Sequence, residues 1–224
     1  LGLKKIFDKL PQALEGLKPT LLYPLLGIGL MGAIMIFVNP FFGGINEAIT
    51  HFLNSMGGTS KVLLGIVVAG MMSIDMGGPF NKAAYVFGTA SLASGNYEVM
   101  AAVMAGGMVP PLAIALASTF FKNKFTKRER QSALTNYIMG LSFITEGAIP
   151  FAAADPLRVI PSCVIGSATA GALTMFFDCQ LRAPHGGIFV LPVIGNPFGF
   201  LAAVVIGSVV GMAMLAVLKK KVVE

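Results

Sequence analysis

Three short segments of this apolar chain combine ionisable side chains with residues that break helices. Residues 75–82, 145–158 and 182–187 read DMGGPFNK, TEGAIPFAAADPLR and RAPHGG. Ionisable groups are costly in a long apolar segment, and irregular backbone is tolerated there only against protein or a water-filled cavity. These segments therefore predict a polar site that binds a hydroxylated solute or carries a proton.

Glu146 is the strongest candidate for that site. It precedes a Gly-Ala-Ile-Pro break, and Arg158, the nearest cation in the sequence, lies twelve residues further on. A carboxylate without a local partner can accept hydrogen bonds from a polyol or carry a proton. Asp155 and Arg158, by contrast, are three residues apart and can pair on one helical face. We interpret them as an internal ion pair that holds the fold.

The other two segments offer further candidates, each with a plainer alternative. Asp75, Asn81 and Lys82 supply an acceptor, an amide and a cation, but Asp75 and Lys82 could equally pair to cap a helix start. His185 lies beside Pro184 and two glycines, which let backbone approach a ligand closely. The alternative for His185 is a hydrogen-bonded loop histidine.

Patterns for other kinds of chemistry are missing from the sequence. No nucleophile–base arrangement, phosphate-binding loop or metal-ligand cluster is visible, so we predict no catalytic residue, metal or cofactor. The letters GIGLMG at 27–32 match a dinucleotide fingerprint, but they lie inside a long apolar run, where glycines favour helix packing. Cys163 and Cys179 lack metal or redox spacing and are expected to be buried thiols.

The elements that position these residues are predicted to be membrane helices. The 224 residues are 55% hydrophobic and 12% charged, whereas soluble domains are about a quarter charged. Residues 20–38 and 99–121 contain no charged side chain, and each approaches the roughly 20 residues that cross ~30 Å of hydrocarbon. We therefore predict an all-α, multi-pass membrane protein.

The basic residues indicate topology rather than a nucleic-acid site. They cluster at 4–18, 122–130 and 219–221, each cluster beside a long apolar segment. Cytoplasmic loops of membrane proteins show this pattern. We expect a lipid bilayer around the chain, no nucleic-acid partner, and an even number of crossings between the second and third clusters.

Local signals suggest where the helices break. We predict a turn at 39–44, a broken or re-entrant segment at 61–75 and a large basic loop at 122–131. The glycines 207 and 211 form a GxxxG pattern, which indicates a packing face. Further breaks are expected at Pro150, Pro156 and Pro161.

Three longer stretches carry a resemblance to a known family. They read DMGGPFNKAAYVFG, FITEGAIPFAAADPLRVIPS and LRAPHGGIFVLPVIGNP, and they are similar to the membrane-embedded IIC component of the bacterial sugar phosphotransferase system, fructose branch. The resemblance covers essentially the whole chain. It implies a polytopic helical bundle with broken helices and re-entrant hairpins, elevator-like movement, a homodimer in the full-length permease, and a place in the bacterial plasma (inner) membrane.

The resemblance also implies a function. The protein would be the membrane subunit of a sugar phosphotransferase, which translocates fructose or a related sugar while a separate IIB domain, phosphorylated on its own cysteine, phosphorylates that sugar. Glu146 would bind sugar hydroxyls, Thr145 and Gly147 would shape its turn, and His185 would be its partner across the pocket. The substrate-binding residues implied in this way are Glu146, His185, Thr145, Gly147, Asn81 and Asp75.

The chain is expected to be a single IIC domain that lacks N-terminal helices which family members carry. Its regions are an interfacial amphipathic helix at 1–19, spanning and broken helices at 20–121, and a transport-type region with the sugar motifs at 122–224. Two other functions fit the residues: a proton- or ion-coupled carrier of a small polar solute in which Glu146 titrates, and a non-transporting membrane fragment.

Overall fold

The computed structural model describes residues 21–55 and 61–222, which form eight α-helices. The predicted interfacial helix at 1–19 lies outside the described residues. Short 3-10 helices at Lys122–Lys124, Thr145–Ala148 and Gly187–Val193 link some of the α-helices. The α-helices are α1 (Tyr23–Ser55), α2 (Lys61–Met71), α3 (Pro79–Ala93), α4 (Glu98–Phe120), α5 (Lys127–Leu141), α6 (Ile149–Ala154), α7 (Pro156–Phe176) and α8 (Pro197–Leu218).

Four of the described helices are long and apolar enough to cross a membrane. They are α4, α7, α8 and the part of α1 from Tyr23 to Pro40. No β-strand is assigned in the described ranges, where one isolated bridge joins Leu181 and Ile194. These features confirm the prediction of an all-α, multi-pass membrane protein. The two candidate spans α7 and α8 lie between the second and third basic clusters, in agreement with an even number of crossings there.

The chain divides into two compact units, residues 1–48 and 49–224, and the boundary falls within α1. In the first unit, no residue in the Tyr23–Pro40 part of α1 is buried. The turn predicted at 39–44 is wrong, because α1 continues through it with Pro40 inside the helix. A proline removes one backbone hydrogen bond, and apolar membrane helices tolerate that loss.

The second unit is built around α4, which has an 18-residue apolar stretch that is 94% buried. Small residues let other helices approach it closely: a Cβ on Gly106 of α4 would lie 2.6 Å from the Cα of Ala69 in α2. Ser167 of α7 donates its hydroxyl to the Gly106 carbonyl at 2.7 Å. The predicted GxxxG packing face is confirmed, because a Cβ on Gly207 of α8 would lie 2.6 Å from the Gly166 oxygen of α7.

The predicted helix breaks are confirmed at two prolines and wrong at the third. Pro150 and Pro156 stand in the first turns of α6 and α7, where a proline is tolerated because those amides have no partner within the helix. Pro161 lies inside α7. At that position it removes the hydrogen bond to the Leu157 carbonyl, yet the helix continues through it.

The predicted basic loop at 122–131 is shorter than expected. Helix α5 already begins at Lys127, because Thr126 and Glu129 form a capping box. The Thr126 hydroxyl accepts the Glu129 amide at 3.2 Å, and the Glu129 carboxylate accepts the Thr126 amide at 2.8 Å. This reciprocal pair satisfies two amides that a helix start leaves open.

Candidate functional site

Two breaks between helices face each other inside the second unit. One is the link 72–78 between α2 and α3, and the other is the link 142–148 between α5 and α6. They approach so closely that a Cβ on Gly77 would lie 3.2 Å from Oε1 of Glu146. Gly77 also has a φ of +131°, a conformation that side chains disfavour.

The second break is attached to α4 near the middle of that helix. The Thr145 hydroxyl donates to the Gly107 carbonyl at 2.8 Å. Gly107 lies nine residues after Glu98 and thirteen before Phe120, the ends of α4, or roughly 13 and 20 Å along the helix axis. The second break therefore lies beside the middle of α4, one of the candidate membrane spans.

Asp75 organises the first break by capping α3. Its Oδ2 accepts the Phe80 amide at 2.8 Å, and its Oδ1 accepts the Asn81 amide at 3.0 Å. A Cβ on Gly78 would lie 2.6 Å from Oδ2, so the glycine makes room for this cap. The plainer alternative for Asp75, a helix cap, is therefore what the structure shows, although Lys82 is not its partner. A binding role for Asp75 stays a prediction.

The first turns of α3 project three side chains toward the second break. Asn81 is buried, and its side-chain amide donates to the Met72 carbonyl at 2.9 Å, which fixes its orientation. Lys82 extends its Nζ to 3.6 Å from Oε1 of Glu146. Tyr85 follows at helical spacing, so it lies on the same side of α3.

A Schellman motif ends α5 and begins the second break. The Ile144 amide donates to the Met139 carbonyl at 2.8 Å, and the Phe143 amide donates to Gly140 at 3.2 Å. Glycine usually occupies the left-handed position of this motif, but here Phe143 occupies it with a φ of +63°. A bulky residue in that conformation is unusual and costs free energy.

The contacts of the Phe143 side chain account for its presence. Phe143 is 5% exposed, and the centroid of its ring lies 5.0 Å from that of His185 and 6.3 Å from that of Tyr85. A Cβ on Gly107 would collide with this ring. The unusual backbone of Phe143 therefore places an aromatic ring between α3, α4 and the loop that carries His185.

Gly187 brings that loop against the end of α5. Its φ is +57°, and a Cβ there would collide with the Leu141 carbonyl and lie 2.9 Å from the Phe143 amide nitrogen. A glycine is required where both the conformation and the space exclude a side chain. Gly147 acts similarly on the other side of the turn, where a Cβ would lie 2.5 Å from Oδ1 of Asn136.

These elements enclose a cavity of about 250 Å³. That volume is slightly below the roughly 300–1,000 Å³ typical of sites for drug-sized ligands, so it suits a small solute. Its lining offers a carboxylate, an ammonium group, an imidazole, an amide and hydroxyls beside two aromatic rings. The lining residues are Met72, Asn81, Lys82, Tyr85, Phe143, Thr145, Glu146 and His185.

The structure brings four of the six predicted binding residues together in that lining: Asn81, Thr145, Glu146 and His185. Asp75 and Gly147 stand behind the lining as a cap and a packing position. Lys82, which the sequence analysis named as a cation but did not include among the implied substrate-binding residues, also lines the cavity. Sequence reasoning left out three other lining residues: Met72, Tyr85 and Phe143. Tyr85 could have been found, because it follows Asn81 at i+4 on α3.

Glu146 has a protein partner after all. It has no cation nearby in the sequence, but the tertiary structure supplies Lys82 at 3.6 Å. The side chains of Lys82 and Glu146 remain 60% and 46% exposed. Both groups therefore keep hydrogen-bonding capacity that a solute in the cavity can use.

Asp155 and Arg158 pair as their spacing predicts, away from this lining. Nη1 of Arg158 donates to Oδ1 of Asp155 at 2.8 Å. The pair belongs to a larger network, since Nζ of Lys219 lies 4.0 Å from Asp155 and 3.4 Å from Glu129. This network joins the end of α8 to the starts of α5 and α7.

Both cysteines are free and buried, as predicted. The Cys179 thiol lies 3.6 Å from the Asn196 carbonyl. Burial, with smaller contributions from the charges of Asp178 and Glu98, raises the pKa of the Cys179 thiol to about 11. A protonated, enclosed thiol fits a structural role.

Comparison with known proteins gives consistent matches. A family model described as "Phosphotransferase system, EIIC" matches residues 3–166. The "Fructose permease IIC component" of Bacillus amyloliquefaciens is 56% identical over 223 residues, which cover 99% of this chain and 73% of that protein. No solved structure matches the chain.

Longer relatives match over the same region. The "PTS system fructose-specific EIIABC component" of Bacillus subtilis (strain 168) is 55% identical over 99% of this chain and 35% of its own length. The "PTS system fructose-specific EIIB'BC component" of Escherichia coli (strain K12) is 47% identical over 96% of this chain and 39% of its own length. The chain thus spans little more than a third of these longer relatives.

Proposed function

Because this chain belongs to the phosphotransferase system EIIC family, we propose that it carries fructose or a related sugar across the membrane and presents it for phosphorylation. It would act as the membrane subunit of a sugar phosphotransferase in the plasma (inner) membrane. The names of the relatives support this assignment, since each of the three reported above is called a fructose permease or a fructose-specific component.

One observation carries the proposal for the site. Two helix breaks, 72–78 and 142–148, meet beside the middle of α4 and place a carboxylate, an amide and an imidazole around one small cavity. A sugar presents several hydroxyls, each of which can donate one hydrogen bond and accept two. The mixed lining matches that demand, and the rings of Tyr85 and Phe143 offer apolar surface to the C–H face of the sugar.

Individual roles follow from these groups. Glu146 accepts hydrogen bonds from two sugar hydroxyls, while Lys82 donates to a third sugar oxygen. Asn81 and Thr145 are held by protein hydrogen bonds, so their orientations are set before the sugar arrives. Such preorganisation lowers the entropic cost of binding.

Phosphorylation requires a donor from outside the cavity. The relatives from B. subtilis and E. coli carry B components in the same polypeptide as the C component, by their names. We propose that a phosphorylated IIB domain reaches the bound sugar, and that Glu146 or His185 accepts the proton which the attacking hydroxyl loses. A homodimer and an elevator-like displacement of the site, with re-entrant hairpins at the two breaks, complete the proposal.

Sugar binding and coupled uptake test this function in proteoliposomes that contain the full permease. Radiolabelled fructose is compared with other hexoses and with a polyol for the wild type and for Glu146→Gln and Lys82→Met. Loss of one charged hydrogen bond is worth roughly 1.5–3 kcal/mol, so fructose affinity should fall about 10- to 150-fold in either variant.

Glu98→Gln is the matched control. Glu98 pairs with Lys61 at 3.7 Å outside the cavity lining, so this control should bind fructose like the wild type. Normal fructose binding by Glu146→Gln would refute the site. Uptake that continues without a phosphorylated IIB domain, and collapses with the proton gradient, would instead show a proton-coupled carrier.

A further inference from the structure

A second cavity, of about 470 Å³, lies where the end of α4 meets the first turns of α5. Three cationic side chains line it, and none of its described lining residues is acidic. Thr119 and Gln131 add hydrogen-bonding groups beside the cations. The cations are Lys122, Lys127 and Arg130.

The carboxylate nearest in the sequence does not neutralise this cavity. Glu129 accepts the Thr126 amide at 2.8 Å in the capping box of α5. Its other oxygen lies 3.4 Å from Nζ of Lys219. With Glu129 engaged in this way, the cavity keeps a positive charge that favours an anionic ligand.

An exposed apolar surface continues from the cationic cavity along α5. Arg130, Leu134 and Ile138 are spaced at i, i+4 and i+8, so they form one stripe on the helix. Leu134 and Ile138 are 60% and 70% exposed, and Phe120 at the end of α4 is 67% exposed. The stripe therefore changes from cationic to apolar over two helical turns.

The direction of that change matches the membrane boundary. A Cβ on Gly140, near the end of α5, would lie 2.6 Å from Cγ of Leu112 in α4, so α5 runs back along α4 from its Phe120 end. Since α4 is a candidate span that ends at Phe120, the apolar end of the stripe points into the hydrocarbon and the cationic end toward the basic cluster.

We propose that this groove binds an anionic phospholipid, with its phosphodiester at Lys127 and Arg130 and an acyl chain along Leu134 and Ile138. Basic pockets beside spanning helices are suited to anionic headgroups, and arginine binds phosphate oxygens through two parallel hydrogen bonds. A free phosphate would leave the apolar stripe uncovered. A lipid satisfies both halves of the groove.

Native mass spectrometry of the full chain in neutral detergent tests the proposal. Phosphatidylglycerol and phosphatidylcholine with the same acyl chains are added to the wild type and to the double variant Lys127→Gln/Arg130→Gln. Each cation near an anionic lipid contributes roughly fivefold in affinity, so the double variant should retain phosphatidylglycerol about 25-fold less. Phosphatidylcholine should bind the two proteins equally weakly.

Lys220→Gln/Lys221→Gln is the matched control, because it removes the same charge from exposed residues outside the groove. It should retain phosphatidylglycerol like the wild type, and all variants should melt within a few degrees of one another. A third variant, Leu134→Gln/Ile138→Gln, should lose phosphatidylglycerol because the acyl chain loses its contacts.

Three outcomes would overturn the proposal. Equal retention of phosphatidylglycerol by the wild type and the Lys127/Arg130 variant would show that the cations bind no lipid. Displacement of the lipid by millimolar inorganic phosphate, with no effect of the Leu134/Ile138 variant, would indicate a free-phosphate site. If the Lys127→Gln/Arg130→Gln variant retained the lipid but a IIB domain no longer phosphorylated its bound sugar, the groove would be a protein-docking surface instead.

Discussion

Replacing Phe143 by alanine and by glycine separates the role of its ring from the cost of its backbone. Both changes remove a buried ring, at a cost of roughly 3–5 kcal/mol in the free energy of unfolding. Alanine keeps the penalty of a left-handed conformation at φ +63°, which is about 1–2 kcal/mol. Glycine removes that penalty, but its greater freedom in the unfolded chain lowers the free energy of unfolding by about 0.5–1 kcal/mol. With the middle of each range, the glycine variant should therefore be more stable by about 0.75 kcal/mol.

The assay is reversible unfolding in detergent, combined with fructose binding. Both Phe143 variants should lose fructose affinity to the same extent, because the ring lines the cavity and neither variant restores it. An alanine variant as stable as the glycine variant would contradict the claim that residue 143 pays a penalty for a left-handed backbone conformation. Normal fructose affinity in both variants would refute the role of the ring.

Asp178 provides a matched control for the backbone effect. It occupies the same left-handed position at the end of α7, with a φ of +50°, outside the cavity lining. The Cys179 amide donates to the Thr174 carbonyl at 2.9 Å, as the motif requires. Asp178→Gly should exceed Asp178→Ala in stability by a similar margin, and neither change should alter fructose binding.

Two further predictions concern residues outside the cavity. Lys219→Met leaves Glu129 and Asp155 without their shared cation, so the free energy of unfolding should fall by about 1.5–3 kcal/mol. The exposed neighbour change Lys220→Met should stay within about 0.5 kcal/mol, and equal stability of the two variants would contradict the network. With Cys179 as the sole thiol, alkylation by iodoacetamide should be slow at pH 8 and accelerate roughly tenfold per pH unit toward pH 11, because only the thiolate reacts. A rate that levels off near pH 8.5, the ordinary cysteine pKa, would contradict the effect of burial.

Helices could be predicted where one local property dominates. Residues 99–121 carry no charge and became α4, Pro156 starts α7, and Gly207 packs against a neighbouring helix. Predictions failed where two local signals compete. Pro40 lies within an apolar run that remained helical, and Lys127 already belongs to α5 because a capping box outweighs its basic neighbours.

The candidate site shows the same division. Glu146, Asn81 and His185 were identifiable because polar residues stand out in apolar sequence. Thr145 was implied by the family resemblance alone. The pairing of Glu146 with a lysine 64 residues earlier was not identifiable. Short-range spacing constrains only neighbours on one helix, whereas this contact depends on how separate helices pack.

The sequence by itself determined the membrane environment, the helical fold and the types of group available for chemistry. Hydropathy, charge placement and helix-breaking residues are properties of short segments and do not depend on long-range contacts. Only the tertiary structure decided which groups share a cavity: it turned Asp75 to a helix cap, paired Glu146 with Lys82 and set Phe143 against His185. Those arrangements follow from close approach of backbones at small residues, which depends on the partner surface as much as on the segment itself.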